Sequence, residues 1–304
     1  MRRAYKISGN KIIESEGADS NIFLYINPEP EEKHYLSNNF NIDEYNINSA
    51  LDPDELSRLE FEPGHVTLIV KRPKNYSSKH VLSFKVSSIG IFIFKDKIIA
   101  VLADDVPLFT GKAFEKISSL NDLTLKLVQR PVIHFLEHLK TFSMISDEIE
   151  NKINRSMQNR YLLNLFTMEK SLVYYLSAIN SNMLVIEKVK SSSAKFGFTE
   201  SEAGLLDDII IENSQCYKQA EIYSNIFTSL TEARASIVSN NINILMKTLN
   251  IITIGIMLPS LVVGIFSMNV DFPLRDHPYA FWFILLFAAI SVVIVIYFWK
   301  KLKW

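Results

Sequence analysis

One cysteine, Cys216, stands in 304 residues, which excludes an intramolecular disulfide framework and any CxxC metal knuckle and suits a reducing compartment. An excess of positive charge is missing too. The formal net charge is −1, and a general nucleic-acid binder needs a basic surface to release counterions from the phosphates. No G-x-x-x-x-G-K-[ST] loop occurs, so nothing suggests ATP as a partner. The N-terminal MRRAYKISGNKIIESEG has basic residues with no apolar run behind them and reads as no signal peptide. The most informative shortage is local. Of 65 Asp, Glu, Lys and Arg residues, six lie in the last 57 positions: Asp271, Arg275, Asp276, Lys300, Lys301 and Lys303. The preceding part is about 24% charged, so the chain splits into a water-soluble body and a lipid-like tail.

What fills that tail is two charge-free runs, 248–270 and 278–299. At 1.5 Å per helical residue each covers about 33 Å, enough for a hydrocarbon core of roughly 30 Å. Buried core helices seldom carry so long an apolar run, and here two follow one another. The loop 271–277 makes them an antiparallel hairpin with both chain ends on one side. Lys300, Lys301 and Lys303 follow the second run, and Arg234 and Lys247 precede the first. The positive-inside rule then puts both termini in the cytoplasm and the loop outside. Tyr297, Trp299 and Trp304 at the inner end, and Tyr279 and Trp282 at the outer, fit interfacial belts.

The soluble body divides again. Phe23–Ile26, Val66–Val70, Val81–Val86, Gly90–Phe94 and Ile98–Leu102 read as short strands between turn signals. Helices are expected at Asn41–Ala50 and Asp54–Leu59. Beyond Thr110 the chain reads helical. Between Pro107 and Pro259 the sole proline is Pro131, and from Leu205 to Leu258 nothing stronger than Gly255 would end a helix. One helix over that interval is about 80 Å long. It cannot bury itself in one small domain and needs neighbours, most simply copies of itself about a symmetry axis. The expected domains are 1–199, a stalk helix 200–247 and a transmembrane part 248–304.

The first run is not uniformly apolar. Steps of three and four give one face as Asn243, Met246, Asn250, Thr253, Met257, Ser260, Gly264 and Ser267, with mostly Ile, Leu and Val between. Such a face serves tight helix packing, arises from incidental polar substitution, or faces a water-filled axis, because amides and hydroxyls are costly in lipid. A pore would require an oligomer, since one polar-faced helix encloses nothing. The second run, with only Ser291 and Tyr297 polar within Phe281–Phe298, reads as the lipid-facing partner.

These residues resemble the CorA-type divalent-cation transporters. The stretch 238–247, VSNNINILMK, looks like the approach to that family's pore, and 264–270, GIFSMNV, sits where the family has its Gly-Met-Asn signature. The lysine-rich 300–303 after a second span is also similar, and 51–60, LDPDELSRLE, is more faintly so. The resemblance implies an α+β cytoplasmic domain of the αβα funnel type, a long stalk helix, a two-helix membrane hairpin and a homopentamer with a central pore. It also implies Mg2+ as substrate, with Co2+ and Ni2+ as further cargo, no organic cofactor and no enzymatic activity; within the family Zn2+ is the alternative. A pore-less, membrane-anchored sensor is the alternative from another class.

By the same resemblance, Ser267, Met268 and Asn269 capture the hydrated cation at the outer mouth. Neutral carbonyl oxygens suit Mg2+, which holds its waters tightly. Asn243, Met246, Asn250, Thr253, Met257, Ser260 and Gly264 then line the path, the methionines as apolar constrictions. Ser267 replaces the family's glycine. If that position needs positive φ, the replacement costs about 1 kcal/mol.

The stretch 200–234 holds seven acids against Lys218 and Arg234. A solvated helix face explains them, and so does ion sensing, in which a divalent cation holds together carboxylates that otherwise repel. Asp207, Asp208 and Glu212, with Asp104 and Asp105, are the candidates for regulatory Mg2+. His134-Phe-Leu-Glu-His138 matches the H-x-x-E-H pattern of zinc hydrolases, but no third ligand follows by spacing, and polar positions on an amphipathic helix account for both. Asn75-Tyr-Ser77 is a glycosylation sequon on a segment expected in the cytoplasm, where it has no use.

Overall fold

The computed structural model describes residues 1–15, 19–74, 84–155, 159–268 and 277–302. Asn269, Val270, the loop charges Asp271, Arg275 and Asp276, the sequon at Asn75, and Lys303 and Trp304 lie outside them. Two compact units appear, Met1–Thr231 and Glu232–Trp304.

Period-two alternation builds the first unit. Its strands are β1 (Arg2–Ser8), β2 (Lys11–Glu14), β3 (Ile22–Ile26), β4 (Arg58–Glu62), β5 (His65–Pro73), β6 (Val86–Ile93) and β7 (Ile98–Leu102). They form one sheet in the order β2-β1-β3-β7-β6-β5-β4, antiparallel except where β3 lies parallel to β7. In β7, Ile98, Ala100 and Leu102 enter one core while Ile99 and Val101 enter another. The sheet is therefore buried on both faces. Helices α1 (Pro30–Phe40) and α2 (Glu44–Leu51) cover one side, with Leu36, Ile47 and Ala50 against Phe92 and Val101. Gly90 permits this approach, since a Cβ there would lie 2.4 Å from the Ala50 Cβ. The larger core on the other side takes in α3 (Leu120–Arg155), α4 (Asn159–Ser191) and the start of α6 (Glu200–Phe266), with the short α5 (Ser193–Phe196) between. This is the expected αβα arrangement.

Two segments differ from what their composition leads one to expect. Val86–Ile93 is one strand where a break at Ser87-Ser88 was expected, and Val81–Ser83 of the expected strand lie outside the described residues. No helix forms over Asp54–Leu59. Asp52 Oδ1 accepts from the Asp54 N–H at 2.8 Å, and the Ser57 N–H donates to Ser181 Oγ at 2.7 Å. With Pro53 before them, these bonds take the donors a helix would use, and the chain enters β4. Asn182 completes the attachment: its side-chain oxygen accepts from the Lys71 N–H at 2.7 Å and its amide donates to the Lys71 carbonyl at 2.8 Å. The hairpin β1–β2, unforeseen, turns at Gly9 and Asn10, whose φ values of 56° and 61° are those of a two-residue primed turn.

Helix α6 opens with a capping box. Glu202 accepts from the Thr199 N–H at 2.8 Å, and the Thr199 hydroxyl accepts from the Glu202 N–H at 3.3 Å. The helix runs 67 residues through Pro259, about 100 Å at 1.5 Å per residue. Helix α7 (Ala280–Leu302) completes the second unit. Both carry stretches long and apolar enough to cross a membrane, neither with a buried residue in its apolar window.

Candidate ion path

Helix α6 presents two faces within the second unit. Ile251, Gly255, Leu258, Pro259, Val262 and Phe266 are half-buried and recur at steps of three and four. Across from them α7 offers Ala280, Ile284, Ala288, Ser291, Val292 and Val295, half-buried with the same spacing. The helices run antiparallel: Phe266 stacks on Phe287 with centroids 6.4 Å apart, while Ile251, Ile254 and Leu258 share an apolar cleft with Val295, Phe298 and Trp299. The residues of α6 that approach α7 are thus not those of the polar stripe.

That stripe occupies another face. At about 100° per residue its centre lies roughly half a turn from the α7 side. Asn243, Met246, Asn250, Thr253, Met257, Ser260, Gly264, Ser267 and Met268 are all exposed. Its hydroxyls are polarised one way. Thr253 donates to the Leu249 carbonyl, Ser260 to that of Ile256 and Ser267 to that of Gly264, each at 2.8 Å. With the protons spent on the backbone, the oxygens face outward as acceptors. A row of acceptors complements the water hydrogens around a hydrated cation.

The helix ends at Phe266, and the Ser267 hydroxyl closes its last turn. Ser267 is not among the residues with positive φ, so the strain expected of a non-glycine residue there does not arise. Asn269 lies just beyond, outside the described residues.

The acidic candidates are not gathered within one chain. Asp207 pairs with Lys190 at 2.7 Å, Asp105 with Arg3 at 2.7 Å, and Asp104 with Arg72 at 3.2 Å and Lys74 at 2.9 Å. Glu212 accepts from the Gln129 amide at 3.1 Å, and Asp208 is exposed. Among the described residues, no three His, Cys, Asp or Glu side chains stand close enough to hold a metal. Glu202, one of the seven stalk acids, proves to be a cap. Burial opposes its charge, yet bonds from Ser119 and Thr199 hold its carboxyl below the usual range.

The H-x-x-E-H pair is built into the body. The His138 Nδ1 meets the Tyr175 hydroxyl at 2.6 Å between α3 and α4, and both residues are buried. Burial, then the neighbouring His134 charge, pushes His138 down to about 4. A neutral imidazole bonded to a core tyrosine is a structural group.

The sequence of this chain matches the model of the family described as CorA-like Mg2+ transporter protein over residues 18–301. It is 21% identical over 290 residues to the cobalt/magnesium transport protein CorA of Methanocaldococcus jannaschii, covering 91% of this chain and 89% of that one. The complete structure of the CorA magnesium transporter from that organism superposes with a TM-score of 0.79 at 18% identity, covering 99% of this chain and 98% of that one. Full-length CmaX gives 0.74 at 15% identity, covering 99% and 97%, and the ZntB cytoplasmic domain from Vibrio parahaemolyticus 0.59 at 14%, covering 79% and 98%. These structural likenesses bear on the fold. The family match spans more than nine-tenths of the sequence, and the chain belongs to the CorA-like Mg2+ transporter family, whose members carry divalent cations across membranes and are not enzymes.

Proposed function

We propose that five copies assemble around the polar face of α6 and pass hydrated Mg2+ down its electrochemical gradient into the cell, with Co2+ and Ni2+ as further cargo. The observation that carries this reading is the exposed stripe from Asn243 to Ser267, which the chain's own second span leaves uncovered. Only other copies can enclose it, and acceptor oxygens in lipid would be costly. Residues 1–199 form the cytoplasmic body, 200–247 the stalk and 248–304 the membrane part, with both termini inside. Ser267, Met268 and Asn269 form the outer ring that captures the ion. The inside-negative potential drives entry, about 4.6 kcal/mol per 100 mV for a divalent ion.

Regulation is proposed across subunit boundaries. Asp207, Asp208 and Glu212 of one stalk would share internal Mg2+ with Asp104 and Asp105 of a neighbour, the cation supplementing the Lys190, Arg72, Lys74 and Arg3 partners they have now. Zn2+ is the second reading, which the likeness to the ZntB cytoplasmic domain leaves open.

The test is flux into proteoliposomes with Mg2+, Co2+, Ni2+ and Zn2+ side by side. Asn269→Ala is expected to abolish uptake and Ser267→Gly to preserve it. Uptake unchanged by Asn269→Ala sinks the capture ring. Background flux together with the detergent-corrected mass of a monomer or dimer would mean that the hairpin is only an anchor.

A further inference from the structure

One cavity in the unit Met1–Thr231 has no part in cation passage. It measures about 100 Å3 and lies between Arg72 of β5, Arg130 and His134 of α3, and the apolar segment 106–108. Among the described residues no carboxylate lines it. Arg72 is 5% exposed; its Nη2 donates to Asp104 at 3.2 Å, and its Nε is buried with no hydrogen-bond partner. Asp104 is shared, because Lys74 holds its other oxygen at 2.9 Å. Arg130 forms no ion pair among the described residues. Arg72 and Lys74 thus share one acid, and Arg130 lines the same cavity without one. Burial first, and then the charges of Arg130 and Arg72, push the His134 imidazole down to about 4. The electropositive pocket is felt by its own wall.

Two guanidiniums and an imidazole converging on a small, partly apolar space match the geometry of a tetrahedral oxyanion, which accepts charge-assisted bonds on several sides. The volume, worth a few waters at about 30 Å3 each, admits a phosphate group but no nucleoside. We propose that this cavity binds a phosphate-sized oxyanion, either inorganic phosphate or the phosphate of a monoester, through Arg72, Arg130 and His134. The bound anion ties β5 to α3 in a protein whose transported ions are cations.

The experiment is isothermal titration of the full-length chain in detergent, without Mg2+ and at constant ionic strength in chloride. Inorganic phosphate is the first probe and glycerol phosphate the second. Saturable binding of one anion per chain is expected, and Arg130→Gln weakens it about tenfold or more, the worth of a charged hydrogen bond. Lys140→Gln, which removes the same charge from an exposed site on the same helix, leaves it unchanged. Binding of both probes means an open site that takes a monoester, and binding of inorganic phosphate alone means a closed one. If circular dichroism shows Arg130→Gln unfolded, His134→Asn serves in its place with the same expected loss. No saturable heat up to about 10 mM phosphate, or equal binding by the Arg130 and Lys140 variants, overturns the site.

Discussion

Residues 1–231 and 232–304 use the same apolar side chains for opposite ends. In the first unit Phe84, Phe142, Tyr175 and Phe227 are buried against one another, with Phe84 and Phe142 centroids 4.1 Å apart. In the second, Ile, Leu, Val and Phe stand exposed along both helices, as in Leu261 at 59% and Phe281 at 66%. A single helix contributes to both. Through the first unit α6 buries Leu206, Ile209, Asn213, Cys216, Ala220 and Phe227 at heptad steps; beyond Lys247 its face toward α7 is only half-buried, and none of the described residues there is buried. The comparison teaches that apolarity reports a solvent. Alternation with charge marks a water-facing helix, whereas apolar residues all round mark a helix suited to lipid, and its one acceptor-bearing stripe is the part we propose to face an aqueous axis.

The largest effect expected to sharpen this contrast comes from aromatic truncation. Phe142→Ala should lower the stability of the body by about 3–5 kcal/mol, seen as an earlier urea or thermal transition. Phe281→Ala, on an exposed face, should cost less than about 0.5 kcal/mol; equal losses would erase the distinction. Next comes the stripe. Asn250→Leu should reduce Mg2+ flux by an order of magnitude or so, since an apolar ring must dewet to close a pore, while Ile252→Leu on a different face leaves it intact. Equal flux in both would return the stripe to helix packing.

A smaller effect is pH dependence confined to the body. His134 and His138 titrate near 4 in the fold, against about 6.5 for a free imidazole. As pH falls from about 6.5 towards 4 the unfolded chain takes up protons that the folded chain refuses. Stability is therefore complete above 6.5 and declines through that window. Melting temperatures between pH 5 and 7 should fall on acidification, and His138→Gln should flatten the slope. The smallest is a non-event: burial raises the Cys216 thiol to about 12, so maleimide at pH 8 should label it only after unfolding.

The membrane runs were legible because charge depletion over more than 20 residues has few other causes. The expected limits 248–270 and 278–299 correspond to helix ends at Phe266 and Ala280. The central strands were legible from their β-branched runs. The edge pair β1–β2 was not, because Arg2, Lys6 and Lys11 hide the weak alternation of Tyr5, Ile7 and Ile12, which rest on the core only partly buried. The segment after Asp52 misled because its acids and leucines look helical, while the decisive partners, Ser181 and Asn182, stand about 125 residues away. The polar stripe of the candidate ion path was visible as spacing. Which face met α7 was not, because that depends on residues far apart in sequence, such as Phe266 with Phe287 and Leu258 with Val295. The oxyanion cavity left no trace in the sequence, since Arg72 and His134 come together only through the packing of α3 on β5.

The continuity of α6 also sets a schedule for synthesis. β3 must wait for β7 to find its parallel neighbour, a pairing between residues 22–26 and 98–102. The larger core is not complete until Phe227 arrives. Only 20 residues separate that side chain from Thr248, where the first apolar run begins. At about 5–20 residues per second the ribosome covers them in roughly 1–4 s. Non-local sheet closure takes milliseconds to seconds, so the body finishes folding as the next stretch of the same helix reaches the membrane.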